Sequence, residues 1–322
     1  RGGDPENMQF GDTLNADKFK GYTFDYIISN PPFGIDWKRE AADVEKEHKL
    51  GDAGRFGVGL PQKSDGQMLF MLNGVKKLKE GSGRMAIIQN GSSLFTGDAG
   101  SGASEIRRYV IEGDLVEAII QLPTDLFYNT GISTYIWVIT KGKPLHRSGK
   151  VQLIDASKCF VKRRKNIGSK RVDLDDACIN LIIKAYEGFA DETYEENGLV
   201  VESKVFENRF FGFTKVTVET AQTDGNGNPI LKRGKRQPVK GASDTEIIPL
   251  GQDIDAYMEK NVLPYNPLAY IDSSKDKIGY EVPFTRLFYK FTPPTPSEEI
   301  FAEIKVLEAE EAILMKELFR NA

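Results

Sequence analysis

The tetrapeptide Asn30-Pro31-Pro32-Phe33 combines residue types that can hold a planar group bearing an amine. The side-chain oxygen of Asn30 and the carbonyl oxygen of Pro31 can both accept hydrogen bonds from an exocyclic NH2. Proline fixes φ at about −65° and has no N–H, so the turn is held in one shape. Phe33 can then stack on the planar group. The alternative is an ordinary turn after a strand, because Asn-Pro often begins a turn.

The elements around this tetrapeptide decide where its side chains lie. Residues 22–29 predict a short buried strand with a polar exit, residues 84–88 predict a second buried strand, and residues 7–12 predict a third. Strands that alternate with helices predict an α/β fold with a mainly parallel, doubly wound sheet. Ligands of such sheets bind beyond the carboxyl ends of the strands, which is where Asp12 and Asn30 fall.

The rest of the chain predicts further elements, separated by glycine-rich segments. The predicted elements are helices at 67–79 and 105–112, strands at 115–122, 133–140 and 211–219, a helix at 253–261 and a long helix at about 296–319. Residues 34–63 and 97–102 predict mobile loops, the first being long and polar enough to act as a lid. Residues 222–241 predict an exposed hairpin or a disordered excursion.

Composition excludes several classes of protein. A chain of 322 residues with 40% hydrophobic content favours about two domains with an ordinary core. No apolar run reaches the ~18–20 residues of a membrane span, so no membrane association is expected. Cys159 and Cys178, with two histidines, lack the spacing of metal ligands. We therefore expect no metal, and the cysteine content is typical of a reducing cytoplasm.

A series of motifs covers nearly the whole chain and carries a family resemblance. The motifs are FDYIISNPPFG at 24–34, DWK at 36–38, GRFGVGLP at 54–61, SDGQMLF at 64–70, NG at 90–91, LFTGDAGSG at 94–102 and LPTDLFYNTGISTYIW at 122–137. In this order they resemble the modification subunit of type I restriction-modification systems, a site-specific DNA-methyltransferase that is adenine-specific. The resemblance implies a Rossmann-like sheet that uses S-adenosylmethionine.

The same resemblance assigns roles to the site residues. Asn30, Pro31, Pro32 and Phe33 would hold the amine of an adenine flipped out of DNA, with Phe33 as one stacking wall. Phe127 would be the second wall, with Tyr128 as the alternative. On the cofactor side, Asp12 would accept a hydrogen bond from the adenine of the cofactor beside Asn30, unless it only caps a turn. Asn90, Gly91 and Phe95 are further candidates to line the pocket.

The chain also departs from the family pattern. No glycine-rich cofactor loop precedes Asp12, which predicts a C-terminal portion with the first strands missing and an incomplete cofactor site. On this interpretation residues 1–195 form the catalytic methyltransferase domain, and residues 196–322 form an assembly region with a mixed or helical extension. We expect the isolated fragment to be inactive and to bind S-adenosylmethionine weakly or not at all.

DNA and other subunits are the expected partners. The candidate DNA contacts are Arg55, Lys63, Lys162, Arg163 and Arg164, with solvated loop charges as the alternative. The net charge of −4 is unlike that of a free-standing DNA-binding protein. The family resemblance implies a specificity subunit and a restriction subunit as partners. The terminal helix has an apolar stripe that suits docking to a partner or packing on its own domain.

Two other functions fit part of the pattern. A protein glutamine N-methyltransferase uses a similar tetrapeptide, but residues 34–63 and the long C-terminal region argue against it. A non-catalytic assembly fragment that binds the specificity subunit would explain the missing cofactor loop.

Overall fold

The computed structural model describes residues 7–291 and 293–320, which fall into two compact units divided between Phe284 and Thr285. The helices are α1 (Ala41–His48), α2 (Gln67–Lys77), α3 (Ser92–Phe95), α4 (Gly102–Glu112), α5 (Asp176–Gly188), α6 (Ile254–Asn261), α7 (Phe284–Phe288) and α8 (Ser297–Arg320). The strands are β1 (Tyr26–Ser29), β2 (Arg84–Asn90), β3 (Val116–Gln121), β4 (Thr134–Thr140), β5 (Lys150–Asp155), β6 (Val161–Ile167), β7 (Lys170–Asp173), β8 (Glu192–Glu196), β9 (Leu199–Glu207), β10 (Gly212–Thr220), β11 (Leu231–Lys232), β12 (Lys235–Arg236), β13 (Asp244–Pro249), β14 (Ala269–Ile271) and β15 (Lys277–Tyr280).

Seven strands form the main sheet, in the order β1-β2-β4-β3-β5-β9-β8. β1 pairs in parallel with β2, and β3 with β5, whereas the other four pairings are antiparallel. The α/β fold class is confirmed, but the prediction of a mainly parallel sheet is wrong. The reason is that β3 and β4, like β8 and β9, are joined without a helix, and a parallel return needs a crossover connection.

β1 lies at the edge of the main sheet and has a paired neighbour on one side. The prediction that this strand is buried is wrong, because Tyr26 is 78% exposed and Ile28 is 91% exposed. The apolar surface beside it continues into a groove of about 370 Å³ whose lining includes Ile120 and Ile183. The hydrophobic run identified a strand correctly but did not show that the strand stands at an edge.

The segment before β1 is irregular. The prediction of a strand at 7–12 is wrong, since no strand occurs between residue 7 and Tyr26. Instead the backbone N–H of Leu14 donates to Asp12 Oδ1 over 2.8 Å, and the N–H of Phe19 donates to Asp17 Oδ1 over 2.9 Å. Aspartate side chains that accept such bonds two residues on build turns, and this outcome overrides the apolar alternation.

A second sheet packs against α4 within the same compact unit. β10 pairs with β13, β14 and β15, all antiparallel. The buried Arg107 of α4 donates from Nε to the carbonyl oxygen of Tyr280 over 2.6 Å, and Ser104 Oγ accepts from the Tyr280 N–H over 3.0 Å. The predicted boundary between 195 and 196 falls in the β8–β9 hairpin, and the compact unit continues to Phe284.

The two glycine-rich segments are packed together, so the prediction that they are mobile loops is wrong. Residues 34–63 bury Trp37 and Phe56 and contain α1. Gly102 touches this segment so closely that a Cβ placed on it would lie 1.9 Å from the carbonyl oxygen of Leu60. Gly59 makes the reciprocal approach to Gly102. The glycines therefore serve close backbone contact rather than freedom of movement.

The terminal helix and the excursion at 222–241 are both regular. The helix predicted at about 296–319 is present as α8, and residues 222–241 form a hairpin through β11 and β12. In the part of the chain that the structure describes, no helix is long and apolar enough to cross a membrane.

Candidate active site

The Asn30–Phe33 turn follows β1 directly, at the edge of the sheet where β2 also ends. Ser29 pairs with Ile87 in parallel register, so Asn30 and Asn90 leave the sheet in the same direction. Asn30 is exposed, Pro31 is buried and Phe33 is half-buried. The buried proline anchors the turn and leaves the amide of Asn30 open to a ligand.

Phe33 and Phe127 lie in contact, although they are far apart in the sequence. Their ring centroids are 6.1 Å apart and the ring planes meet at 79°. Tyr128 is 58% exposed, and the ammonium of Lys170 lies over its ring, with Nζ 5.5 Å from the ring centroid. The edge of one phenylalanine ring faces the other, so both can stack on one planar group only after a ring turns.

A buried polar network beside this edge joins two of the sequence motifs. Gln67 Nε2 donates to Asn90 Oδ1 over 2.8 Å and to Asp65 Oδ2 over 2.9 Å. Ser92 Oγ donates to the same Asp65 oxygen over 2.6 Å, and Gln67 Oε1 accepts from the N–H of Asn90 over 3.0 Å. The side chain of Asn90 is thus engaged within the protein. The network fixes the end of β2. Sequence reasoning gave no site role to Asp65, Gln67 or Ser92, although the motif at 64–70 contains the first two.

A cavity of about 510 Å³ opens on the other side of the turn. Its lining includes Gly11, Ser29, Pro31 and Phe70, but not Asp12. Among the described residues that line it, Asp17 is the one carboxylate, and Lys77 Nζ lies 2.7 Å from its Oδ2. Burial raises the pKa of Asp17, but the hydrogen bonds from Lys77 and from the Phe19 N–H, together with the charges of Lys77 and Arg55, leave the pKa below its ordinary value.

The predicted DNA contact Arg55 is a buried structural residue. Its side chain is 10% exposed, and its guanidinium bonds to Glu47 at 2.7 and 2.8 Å. It also donates to the carbonyl oxygen of Thr13 over 2.6 Å and to Asn73 Oδ1 over 3.0 Å. With its donors used inside the protein, Arg55 cannot serve as a phosphate contact, and we remove it from the DNA surface.

Lys63 remains accessible but is paired. Its Nζ lies 2.7 Å from Glu45 Oε1, and its side chain is 51% exposed. The hydrogen bond from Lys63 holds the pKa of Glu45 below its ordinary value. The same ammonium stands 5.8 Å from the ring of the buried Trp37. Lys63 thus links the C-terminal end of the 34–63 segment to α1, which carries Glu45.

The remaining predicted cations lie on the β6–β7 hairpin. Lys162 and Arg164 are exposed, whereas Arg163 points the other way and pairs with Asp173. The hairpin is bonded to the loop that carries Phe127: the N–H of Arg171 donates to the carbonyl oxygen of Asp125 over 2.8 Å, and that of Ser169 to Tyr128 over 3.0 Å. An exposed basic edge is thereby attached directly to the aromatic pair.

The cysteines lie away from this chemistry. Cys159 and Cys178 are both buried in the apolar cluster under α5, and burial raises the pKa of Cys159 to about 12. Across residues 7–291 and 293–320, no group of three or more His, Cys, Asp or Glu side chains could hold a metal ion.

The α/β sheet with an Asn-Pro-Pro-Phe turn at a strand end defines a Rossmann-like methyltransferase domain. The chain belongs to the N-6 DNA Methylase family, whose model matches residues 3–224. The match confirms the resemblance drawn from the motifs. It does not favour the protein glutamine methyltransferase or the non-catalytic fragment.

Curated relatives agree with this family. The chain is 29% identical over 257 residues to the MjaIX type I restriction enzyme methylase subunit of Methanocaldococcus jannaschii, covering 79% of this chain and 41% of that one. It is 28% identical over 229 residues to the HindI methylase subunit of Haemophilus influenzae, covering 68% and 48%. A type I methyltransferase subunit from Streptococcus thermophilus superposes with a TM-score of 0.49 at 27% identity, covering 61% and 38%. The chain thus spans less than half the length of these relatives.

Proposed function

We propose that this chain forms part of a type I site-specific DNA-methyltransferase that methylates N6 of an adenine flipped out of the duplex. The observation that carries the proposal is the meeting of Phe33 and Phe127, 6.1 Å apart, beside the exposed amide of Asn30. A slot with two aromatic rings and an amide acceptor suits a planar base that carries an amine.

The chain's own residues orient the amine. S-adenosylmethionine supplies an electrophilic methyl group when it is bound. The Asn30 side-chain oxygen and the Pro31 carbonyl oxygen accept the two amine hydrogens, which turns the nitrogen lone pair out of the ring and toward the cofactor side. Flipping the base costs a few kcal/mol. Stacking on Phe33 and Phe127 offsets this cost, at about 1–3 kcal/mol for each stacked base.

The cavity beside Pro31 fits part of the cofactor. Its volume of about 510 Å³ and its apolar lining, which includes Phe19 and Phe70, suit an adenosine group. Asp17, the one carboxylate that the described residues give this lining, is already bonded to Lys77, so this part of the chain offers no unengaged acid for a ribose. We therefore propose that the cofactor site is incomplete in these residues, with the role of Asp12 still a prediction.

This proposal predicts weak cofactor binding by the 322-residue chain. Calorimetric titration with S-adenosylmethionine should show no binding in the micromolar range, whereas the full-length protein should bind. Micromolar affinity of the isolated chain would contradict an incomplete site.

DNA phosphates are assigned to the exposed side of the β6–β7 hairpin. Lys162 and Arg164 alternate along β6 and so share one face, as period-two geometry requires. The hairpin is tied to the Phe127 loop, which would place these cations next to the flipped nucleotide. Arg163 and Lys63 form ion pairs with acidic residues and would contribute less to DNA binding.

The proposed subunit partners would dock on α8. The apolar side chains of its stripe, Ile300, Ile304, Leu307, Leu314 and Leu318, are 45–67% exposed, with Glu311 interrupting the row. A stripe at steps near 3.5 residues suits pairing with helices of another chain. We assign this role to the specificity subunit, with the restriction subunit as a further partner.

The test of the slot is substitution in the full-length, assembled enzyme. Asn30→Ala removes an acceptor that acts at the reacting nitrogen, and we expect a loss of at least about 100-fold in methyl transfer to duplex DNA. Phe33→Ala should also abolish transfer, while assembly with the specificity subunit persists. Tyr265→Ala, at an aromatic side chain that is 88% exposed, is the control and should leave transfer unchanged. Wild-type turnover in either slot variant would refute the assignment.

A further inference from the structure

The hairpin that leaves the second sheet after β10 carries a dense group of cations on an ordered scaffold. We call residues 230–241 the basic hairpin. Its two-residue turn has Arg233 at φ 53° and Gly234 at φ 78°, the positive-φ pair of a type I′ turn. The N–H of Ile230 donates to the carbonyl oxygen of Gln222 over 2.7 Å, and that of Gln237 to Ile230 over 3.0 Å. A disordered loop is therefore excluded.

The charge of the basic hairpin opposes that of the whole chain. It contains five cations and no acidic residue, in a protein of net charge −4: Lys232, Arg233, Lys235, Arg236 and Lys240. All five are exposed, and none makes an ion pair with any of the described residues. Arg236 packs against Tyr270, with 5.6 Å between its guanidinium carbon and the ring centroid.

The arrangement of these cations opposes the stability of the hairpin. Lys232 and Lys235 are paired directly across the two strands, and like charges directly opposite are destabilising. Arg233 adopts a left-handed conformation that a non-glycine residue enters at a cost. Folding alone gives no reason for either choice. A polyanion bound at the tip would relieve the repulsion.

We propose that the basic hairpin binds the phosphate backbone of double-stranded DNA, independently of sequence and as a second contact beside the β6–β7 hairpin. The inference rests on the proposed function, under which duplex DNA is the substrate and is therefore the polyanion that the hairpin would meet. The basic hairpin lies beyond residues 3–224, so the family match does not assign it a role. Lysine and arginine at a strand tip suit phosphate contacts, which position a protein without reading bases.

The test compares charge removal in the basic hairpin with matched removal elsewhere. K232Q/K235Q is titrated with a fluorescein-labelled duplex of random sequence, over a series of salt concentrations, in the full-length protein. We expect affinity to fall at least about fivefold and the slope of log K against log salt to become shallower by about 2, at about 0.9 for each lost phosphate contact. K184Q/K260Q removes two exposed lysines from α5 and α6 and should change neither quantity.

Further readouts make the outcome decisive. K232R/K235R should retain wild-type affinity, and K232Q/K235Q should melt no lower than the wild type because it loses a like-charge pair. Unchanged affinity in K232Q/K235Q, an equal loss in K184Q/K260Q, or stronger competition by polyglutamate than by duplex DNA would each overturn the proposal. A failure of the slot itself would appear in Asn30→Ala instead, so the two proposals fail separately.

Discussion

Phe127 and Tyr128 are neighbours of similar size with different surroundings, and this makes the second wall of the slot testable. Phe127 contacts Phe33, whereas Tyr128 stands under Lys170. If Phe127 stacks on the base, Phe127→Ala should lower kcat/KM by about 5- to 150-fold, the equivalent of about 1–3 kcal/mol. Tyr128→Ala should change it less than about twofold by the same measure. The opposite ranking in a methyl-transfer assay would make Tyr128 the wall.

Arg55 leads to a prediction about stability rather than DNA binding. Replacing it with Gln leaves Glu47 without its partner, and we expect a loss of about 3 kcal/mol at neutral pH, the lower end for a broken buried pair. Urea unfolding of the chain measures this loss. Lys63→Gln, which removes a more exposed ion pair, serves as the comparison and should cost less than about 1 kcal/mol.

The same carboxylates predict how stability depends on pH. Burial raises the pKa of Glu47, but its hydrogen bonds from Arg55 leave it below the ordinary value of 4.5, and Asp17 lies below 3.8 for a like reason. A lowered folded pKa contributes stability that is present above the unfolded pKa and lost as pH falls through the folded pKa. The Tm should therefore fall as the pH drops below about 4.5, and the fall should be smaller in Arg55→Gln.

At the residue scale, the sequence identified candidate site residues whose types suit ligand binding. It did not identify residues, such as Arg55, whose role depends on being buried in the folded protein. Asn30 and Phe33 stand in a motif whose composition suggests a slot, and Phe127 was predicted from the resemblance to lie opposite. Arg55 carries no local sign that its guanidinium is enclosed, because the residues it bonds to, such as Thr13 and Asn73, are distant in sequence.

At the scale of elements, the backbone contact between the two glycine-rich segments can be tested directly. Gly102→Ala would place a Cβ 1.9 Å from the Leu60 carbonyl oxygen, so the segments must separate. We expect a loss of more than about 2 kcal/mol, in the range of other steric insertions into packed sites. Gly225→Ala, which has nothing within 4 Å, should stay within about 0.5 kcal/mol of wild type. Equal melting temperatures for the two variants would contradict the close contact.

Most of the predicted elements lie near their observed ends, whereas the directions of the strands were not predicted and α5 and β5 to β9 were not predicted at all. Helices α2 and α4 and strands β2 to β4 follow from hydrophobic periodicity, which is a local property. Strand direction depends on connections and pairing partners, so the antiparallel β3–β4 return was not readable. The apolar run at 7–12 failed because Asp12 and Asp17 favour turns.

At the scale of the whole molecule, α8 gives the sharpest test of assembly. Leu307 lies on the apolar stripe and is 62% exposed, and its neighbour Val306 lies off the stripe and is 58% exposed. Leu307→Asp should prevent co-purification of the full-length protein with its specificity subunit, because the charge would be buried at the helix pair. Val306→Asp introduces the same charge at similar exposure and should leave assembly intact. Loss of assembly in both variants, or in neither, would remove the stripe from the interface.

The division at 195/196 stays a proposal about function rather than a description of compact units. The main sheet takes β8 and β9 from both sides of that point, and Arg107 ties the second sheet to α4. Sequence patterns loosen after residue 195 because several of the later strands, β11, β12 and β14, have only two or three residues. Looser patterning did not mark a structural border.

The hydrogen bonds between the β6–β7 hairpin and the Phe127 loop would determine which nucleotide of the DNA strand enters the slot. Ser169 and Arg171 hold that loop by backbone hydrogen bonds, so Lys162 and Arg164 stand at a set distance from the aromatic wall. If those cations bind phosphates, the hairpin fixes the distance along the DNA strand between the bound phosphate and the flipped base. An insertion in the turn at Gly168 would then shift which nucleotide along the strand enters the slot, rather than simply weakening binding.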